Sequence, residues 1–95
     1  MYATIRSYGG GSEFADALFE REHDIRDVIS TIDGFRAYYL VRTAEGPTTI
    51  SVFEDQAGAD ASSAAAADYV TNNLLDVSPA SPQVTAGEVA LWFES

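Results

Sequence analysis

The hydrophobic pattern of the chain changes repeatedly between the period of a β-strand and the period of an α-helix. Residues 2–8 (YATIRSY) place every second side chain, from Tyr2 to Tyr8, on one side, which indicates a half-buried strand. Aromatic and β-branched residues predict three further strands at 35–43, 48–55 and 84–94. The turn sequence AEGP between the second and third strands predicts that they form an antiparallel hairpin.

Two segments between these strands have the helical period. The first predicted helix begins at Ser12, a plausible N-cap, and stops at Gly34. Asp55 is placed to cap the second helix, over residues 56–75, and the proline-containing residues 76–83 then predict a loop. The apolar stripe of the first helix consists of Phe14, Leu18, Ile25, Val28, Ile29 and Ile32. The small face of the second helix, which lets it lie close to a sheet, consists of Ala59, Ser63, Ala66 and Ala67, followed by Val70 and Leu74.

The order of the predicted elements is β-α-β-β-α-β, the split βαβ arrangement of ferredoxin-like folds. It predicts an α+β fold with a four-stranded antiparallel sheet and two helices on one face. The large strand residues supply more apolar surface than two helices can cover: Tyr2, Tyr8, Tyr38, Phe53 and Trp92. An uncovered apolar face of that size marks an interface. We therefore expect a homodimer in which two sheets pair face to face.

The length of the chain limits where a binding site can lie. Ninety-five residues are enough for one domain, residues 1–95, with a single small core. A cleft between two domains is therefore excluded, and we expect a deep pocket to need a second subunit.

The charge of the chain is strongly negative. Asp and Glu number 15 against five cations, all of them arginine, for a formal net charge of -10. Such a field repels phosphate, which makes nucleic acid and anionic membrane surfaces poor partners. An acidic sequence without lysine is typical of salt-loving archaea, and the alanine-rich, arginine-only bias of high-GC bacteria gives a similar composition. The halophile interpretation predicts that stability rises steeply with molar salt.

The sequence contains no cysteine, so thiolate nucleophiles, thiolate metal sites and disulfides are excluded. It also shows no apolar run of the length of a signal peptide or a membrane span. A cytoplasmic protein is the expectation.

The segment FEREHDI, residues 19–25, holds the only histidine of the chain. Glu20 and His23 have the Glu-x-x-His spacing of carboxylate-bridged metal sites in helical bundles. At 100° per residue, however, His23 stands about half a turn away from the apolar stripe of its helix. We therefore predict a solvated helix face and no metal site.

Arginine and tyrosine side chains alternate on the same face of two predicted strands. They are a better candidate for a ligand-binding site than the Glu-x-x-His motif. Arg6 alternates with Tyr8 on the first strand, and Arg36, Tyr38 and Arg42 alternate in the same way on the second. Such a face can bind an anionic aromatic ligand through charge-assisted hydrogen bonds and stacking. In the alternative, which we favour, the arginines pair with acids such as Glu54 or Glu88 and the tyrosines pack in the dimer interface.

Residues 33–70 and the segment PQVTAGEV at 82–89 resemble the antibiotic biosynthesis monooxygenase-like superfamily of dimeric α+β barrels, and in particular its uncharacterised single-domain members. The resemblance rests on Gly34-Phe35, on Tyr38-Tyr39, on the strand end SVFED leading into a small-residue helix, and on Gly87-Glu88-Val89. It implies that two subunits pair sheet to sheet and bind small, often aromatic molecules. It is stronger evidence for the fold than for the function, because this fold hosts unrelated activities.

The resemblance also bears on cofactors. Members that oxidise polyketide quinols use no metal or flavin, so no cofactor is expected. Haem-degrading relatives use an Asn, a Trp and a His, whereas this chain has no Asn on its first strand and its one His lies on the first predicted helix. Haem degradation is therefore not expected. Residues of suitable type elsewhere are Asn72, Asn73 and Trp92.

Two functions follow from these observations. The first is a cofactor-independent monooxygenase-like enzyme for a small aromatic or quinol-type substrate, with Tyr8, Tyr38, Asn73 and Trp92 as candidate catalytic residues. Its candidate substrate-binding residues are Arg6, Arg36 and Phe53. The second is a non-catalytic binding or scaffold dimer in which the same aromatic residues build the interface. A cavity lined by Arg6, Tyr8 or Tyr38 that persists in the dimer would favour the enzyme.

Overall fold

The elements follow one another in the order β-α-α-β-β-α-β in the computed structural model, which describes residues 1–9, 11–74 and 82–95. Most of the predicted loop at 76–83 lies outside the described residues. The elements are β1 (Tyr2–Ser7), α1 (Gly11–Glu20), α2 (Glu22–Ser30), β2 (Phe35–Thr43), β3 (Gly46–Phe53), α3 (Gln56–Asn73) and β4 (Gln83–Glu88).

The strands form one antiparallel sheet in the order β2-β3-β1-β4. This order and the helices packed on the sheet confirm the predicted ferredoxin-like α+β fold. In the register of the sheet, Arg6 lies opposite Thr49 on β3 and opposite Val84 on β4. A bulge between Phe35 and Ala37 shifts the start of β2 relative to β3.

The first predicted helix is two helices, which corrects the prediction of a continuous one. Arg21 leaves the helical conformation (φ -105°, ψ 28°) between α1 and α2. The break falls in a polar run, residues 20–24, that has no apolar side chain to anchor it against the sheet. On either side of the break the apolar stripe is buried, by Phe14 and Leu18 in α1 and by Ile29 in α2. The helix also ends earlier than predicted, at Ser30 with Thr31 as its C-cap residue, and Gly34, with φ 84°, lies in the turn that leads into β2.

Helix α3 lies close to the sheet because small residues form its inner face. The predicted cap is confirmed, since the side chain of Asp55 accepts a hydrogen bond from the backbone N–H of Gly58 at 3.0 Å. Gly58, Ala59 and Ser62 are buried against β1 and β3, whereas Ala67 of the predicted face is exposed. None of the described helices combines the length and the apolar character that crossing a membrane requires.

The last strand is shorter than predicted. It ends at Glu88, and the backbone N–H of Val89 makes a final hydrogen bond to the carbonyl of Met1. Residues 89–95 continue without regular structure, and Leu91, Trp92 and Phe93 are exposed. A run of apolar residues alone predicts a strand here, but β4 pairs with β1, whose first residue, Tyr2, already lies opposite Glu88. The residues after Glu88 therefore have no partner strand among the described residues.

The two faces of the sheet differ from the sequence-based expectation. Tyr8, Tyr38 and Phe53 lie on the face that the helices cover, so they do not build the open face. The open face is built instead by the alternate residues of the same strands, which include Ile5, Ile50 and Tyr39 in one row and Val41 and Val52 in neighbouring rows. Tyr39 is 56% exposed, Val41 42% and Ile5 39%. An apolar face open to solvent is present, as expected, but with different residues.

Candidate functional site

A cavity of about 580 Å³ lies between the first two helices and β2. Most of its wall is apolar because the buried stripe of α1 and α2 faces the sheet across it. The apolar lining residues are Leu18, Phe19, Ile25, Ile29, Phe35 and Leu40, and the polar ones are Glu22, Arg26, Ser30 and Tyr38.

A second, smaller chamber of about 30 Å³ adjoins this cavity. The two are neighbours because Leu18, Ile25, Ile29 and Tyr38 line both of them. The small chamber reaches the floor of the sheet, where its polar lining consists of Arg6, Tyr8, Tyr38 and Thr49, with Tyr69 from α3. A volume of about 30 Å³ is the share of one water molecule in the liquid, so the chamber accepts one small polar group.

Arg6 is the charged residue of this inner chamber. Only 3% of it is exposed, and its guanidinium donates hydrogen bonds to Ser51 Oγ at 3.3 Å and to Ser63 Oγ at 2.6 Å. Within the described residues no carboxylate lies within ion-pair distance of it. Burial lowers the pKa of Arg6 below its usual value of 12.5. Because arginine stays protonated in proteins, the chamber still holds a full positive charge.

Tyr8 and Tyr38 bring two phenols to the same place. Burial raises the pKa of Tyr8, and burial together with the neighbouring Tyr8 raises the pKa of Tyr38 to about 12. Both phenols are therefore neutral at pH 7 and act as hydrogen-bond donors. Tyr8 is held in place by Phe14 of α1, whose ring meets it edge-on with centroids 5.1 Å apart.

The mouth of the cavity is more polar than its wall. Arg26 Nη2 and Glu22 Oε2 lie 3.3 Å apart on successive turns of α2, and both side chains are more than half exposed. Phe19, at the end of α1, is 60% exposed at the same rim. Glu22 is the only carboxylate residue among the described residues that line the cavity.

The candidate residues from the sequence fall into two groups. Arg6, Tyr8 and Tyr38 converge on the inner chamber. The other four lie elsewhere. Phe53 is fully buried and packs edge-on against Phe35, and Arg36 pairs with Glu54 at 2.6 Å. Asn73 is exposed at the end of α3, where its amide donates to the carbonyl of Tyr69, and Trp92 lies beyond β4.

Three hydroxyl residues of the site were not anticipated from the sequence as site residues. Thr49 lines the chamber, and Ser51 and Ser63 hold the guanidinium of Arg6. The signal was present in the third strand, where Thr49, Ser51 and Phe53 alternate on one face. Two hydroxyls at positions that would otherwise be apolar indicate a polar partner on the neighbouring strand.

His23 is exposed on α2, as its helical phase predicts. The break at Arg21 places Glu20 on a different helix, which separates the two halves of the Glu-x-x-His motif. Asp24 has another role, since it accepts a hydrogen bond from the hydroxyl of Tyr69 at 3.2 Å and so links α2 to α3. In the part of the chain that is described, no three acidic or histidine side chains are grouped to hold a metal ion.

No protein-family model matches the sequence, and a search of curated proteins finds no significant match. Solved structures, in contrast, match over almost the whole chain.

The heme-degrader MhuD from Mycobacterium tuberculosis, with two hemes bound in its active site, is 16% identical with a TM-score of 0.72, over 99% of this chain and 100% of that one. A protein of unknown function from Nitrosomonas europaea is 15% identical with a TM-score of 0.72, and the match covers 99% of this chain and 92% of that one. A presumed monooxygenase from Shewanella loihica is 12% identical with a TM-score of 0.63, and the match covers 96% of this chain and 95% of that one. At 12 to 16% identity, these structures show that the chain shares their α+β fold, as the resemblance implied.

Proposed function

We propose that the chain forms a homodimer that binds a small aromatic or quinol-type molecule in the helix-side cavity and oxidises it with oxygen, without a cofactor. One observation carries the proposal: an apolar cavity of about 580 Å³ ends in a buried guanidinium flanked by two phenols. Ligand sites typically measure about 300 to 1,000 Å³ and combine apolar walls with a few polar groups. The cavity has both properties.

The position of the cavity supports binding in a dimer as well as in a monomer. It lies on the helix side of the sheet, whereas the exposed apolar residues Tyr39 and Val41 lie on the opposite face. Pairing through the open face would therefore leave Arg6, Tyr8 and Tyr38 accessible to a ligand. Under that pairing Tyr8 and Tyr38 would not pack in the dimer interface, which is one part of the alternative expected from the sequence. Its other part, the pairing of an arginine with Glu54, is present at Arg36.

The inner chamber would promote oxidation by stabilising a substrate anion. A positive charge in a site of low dielectric constant favours a phenolate or enolate over its neutral acid. The anion gives one electron to O2, and the resulting radicals combine to form a carbon–oxygen bond. When the carbon is a CH2 group, loss of water then leaves a carbonyl, so that CH2 and O2 become C=O and H2O. A quinol such as 1,4-dihydroxynaphthalene instead gives two electrons and two protons to O2, so that the products are the quinone and H2O2. In this scheme Arg6 stabilises the anion, and the hydroxyls of Tyr8 and Tyr38 donate hydrogen bonds to it.

The raised pKa values of the two tyrosines determine what they can do. A phenol that ionises only well above pH 7 is a poor general base at neutral pH. Glu22 at the mouth is the candidate to accept a proton, because it is the carboxylate residue among the described residues that line the cavity. Asn73 and Trp92 have no part in this scheme.

A non-catalytic binding protein is the second candidate, and one observation favours it. Two of the four candidate catalytic residues, Asn73 and Trp92, lie outside the cavity. Haem is not proposed as the ligand, although it is bound by MhuD. The described lining residues include no histidine, and the raised pKa values of Tyr8 and Tyr38 disfavour phenolate ligation of iron.

Calorimetry and oxygen consumption together separate these candidates. We expect the protein to bind 1,4-dihydroxynaphthalene and to consume oxygen faster than autoxidation in buffer that contains a metal chelator. Arg6→Met should lower the rate by at least tenfold. The matched control Arg42→Met removes an exposed arginine that pairs with Asp16 and should leave the rate unchanged. Binding without oxygen consumption would support the non-catalytic candidate, and absence of binding would contradict both.

A further inference from the structure

We propose that the inner chamber is an oxyanion subsite, so that the ligand carries one carboxylate or phenolate group that binds Arg6 while its apolar body fills the larger cavity. This inference rests on the proposed function in one respect, because it needs a ligand in the same cavity. It goes further by assigning the charge, the position and the orientation of that ligand.

The first argument is the missing counter-ion of Arg6. A buried charge is costly unless it is paired. Three other arginines, all largely exposed, have carboxylate partners: Arg26 with Glu22, Arg36 with Glu54 and Arg42 with Asp16. Arg6, the buried one, has only serine hydroxyls within the described residues. In a chain with 15 acidic residues, this absence is not explained by a shortage of acids.

The second argument is the number of donors that remain. A guanidinium has five N–H groups, and two of those of Arg6 are used by Ser51 and Ser63. The remaining donors can bind a carboxylate or phenolate oxygen, which is the geometry that arginine serves best. The phenols of Tyr8 and Tyr38 line the same chamber and are neutral at pH 7, so they can donate to the same oxygen.

The third argument is the shape of the cavity. The inner chamber, at about 30 Å³, has room for one small polar group, whereas the adjoining space of about 580 Å³ has mainly apolar walls. A ligand with a small charged end and a flat apolar body fits this division in one orientation only. Its anionic end lies innermost, and its body extends between α2 and β2 towards Phe19 at the rim.

A matched pair of ligands tests the inference on the native protein, without depending on any variant. 2-Naphthoate and 2-naphthamide have nearly the same shape and differ in charge at pH 7. We expect calorimetry to show that naphthoate binds at least tenfold more tightly. In Arg6→Met, checked for folding by circular dichroism, the affinity for naphthoate should fall to that for naphthamide. In the control Arg42→Met the preference should persist.

Two results would overturn the inference. Equal affinities of the native protein for both compounds would remove the oxyanion subsite and, with it, the role of Arg6 in the oxidation scheme, and would leave only a cavity that binds aromatic molecules regardless of charge. If neither compound binds, the inference is overturned, and the assay with 1,4-dihydroxynaphthalene then decides the proposed function separately. Loss of the preference in Arg26→Met, with its retention in Arg6→Met, would place the anion at the mouth and contradict the inner site. If Arg6→Met does not fold, Arg6→Lys keeps the charge and should retain a reduced preference for naphthoate.

Discussion

Arg6 is a residue at which stability and ligand binding oppose each other. Its charge is desolvated by the surrounding strands and helices, and the hydroxyls of Ser51 and Ser63 compensate for only part of the lost hydration. Without a ligand, this cation has no anionic partner within the described part of the chain. The ligand-free fold is therefore less stable than it would be with an apolar residue at the same position. The same desolvation strengthens its attraction to an anion.

We expect Arg6→Met to stabilise the ligand-free protein. Methionine keeps much of the length of the side chain and removes the buried charge, and replacing buried ionic groups by apolar ones is often neutral or stabilising by about 1 to 4 kcal/mol. Ser51 and Ser63 lose the guanidinium as a hydrogen-bond donor, which costs about 1 kcal/mol, so the expected net gain in the free energy of unfolding is about 0 to 3 kcal/mol. Urea denaturation measures it.

Arg42→Met is the matched control for this change. The pair of Arg42 and Asp16 is at least half exposed, and such pairs contribute about 0 to 1 kcal/mol, so its loss should change stability little. A loss of more than 2 kcal/mol in Arg6→Met would contradict the prediction, because it would mean that the charge is compensated in the ligand-free protein.

Tyr38 should make the stability depend on alkaline pH. Burial raises its pKa to about 12 from the usual 10.0, so the folded state keeps the proton over a range in which the unfolded state has lost it. The resulting stability is fully present below pH 10 and is lost as the pH rises through about 12, by at most about 3 kcal/mol. Urea denaturation between pH 9 and pH 12 should show this fall, and Tyr38→Phe should reduce it. An equally steep fall in the variant would contradict the assignment to Tyr38.

At the scale of elements, the periodicity of the sequence predicted the strands and their order along the chain, and it predicted Asp55 as the cap of α3. The other two capping predictions were wrong, because Ser12 lies inside α1 and α2 ends at Ser30, before Gly34. It did not predict the break at Arg21. A stripe at positions 14, 18, 25 and 29 is compatible with one helix or with two, since both bury the same residues. The end of β4 was also missed, because an apolar run such as LWF does not reveal whether a partner strand is available.

The site was predicted in part, for a similar reason. Alternation placed Arg6 and Tyr8 on one face, but the choice between the helix face and the open face depends on tertiary packing. The apolar lining of the cavity was identified only as core. Whether a stripe such as Leu18, Ile25 and Ile29 is packed tightly or leaves a space depends on how far the helices stand from the sheet, which periodicity does not encode.

The close contact of α3 with the sheet depends on Gly58. A Cβ atom at this position would lie 2.9 Å from the carbonyl oxygen of Asp33 and 2.9 Å from a ring carbon of Phe53. Gly58→Ala should therefore destabilise the fold by about 1 to 3 kcal/mol, although alanine is the better helix former by about 1 kcal/mol. Thermal unfolding measures the change. The same substitution at Gly87, where no atom lies within 4 Å, is the control and should have little effect.

For the whole molecule, the open sheet face predicts the assembly state. Tyr39 and Val41 are exposed on neighbouring rows of this face, together with Ile5. We expect light scattering to give twice the chain mass of 10.2 kDa for the native protein and the mass of a monomer for the double variant Tyr39→Asp, Val41→Asp. In such a dimer the two introduced carboxylates would be buried against the same two carboxylates of the second copy. The free-energy cost of that burial exceeds the stabilisation that the apolar contact provides.

The control for this variant is Thr71→Asp, which adds a negative charge on the exposed side of α3, away from the open face. It should remain a dimer. A native protein that is monomeric at all accessible concentrations would contradict the proposed homodimer. A monomeric double variant that still binds 1,4-dihydroxynaphthalene would show that the cavity is complete within one subunit.

The net charge of -10 predicts a strong dependence of stability on salt. Acidic side chains are exposed along α2 and α3, among them Asp27, Asp60 and Asp68, and their mutual repulsion favours the unfolded chain. The Debye length falls from about 10 Å at 0.1 M salt to about 3 Å at 1 M, so screening should raise the melting temperature between low and molar KCl. Replacing Asp27, Asp60 and Asp68 by Asn should reduce that rise. A melting temperature that hardly changes between low and molar KCl would contradict the halophile interpretation. Screening is almost complete at about 1 M, so a melting temperature that continues to rise above about 1 M KCl would favour the halophile interpretation over simple charge repulsion.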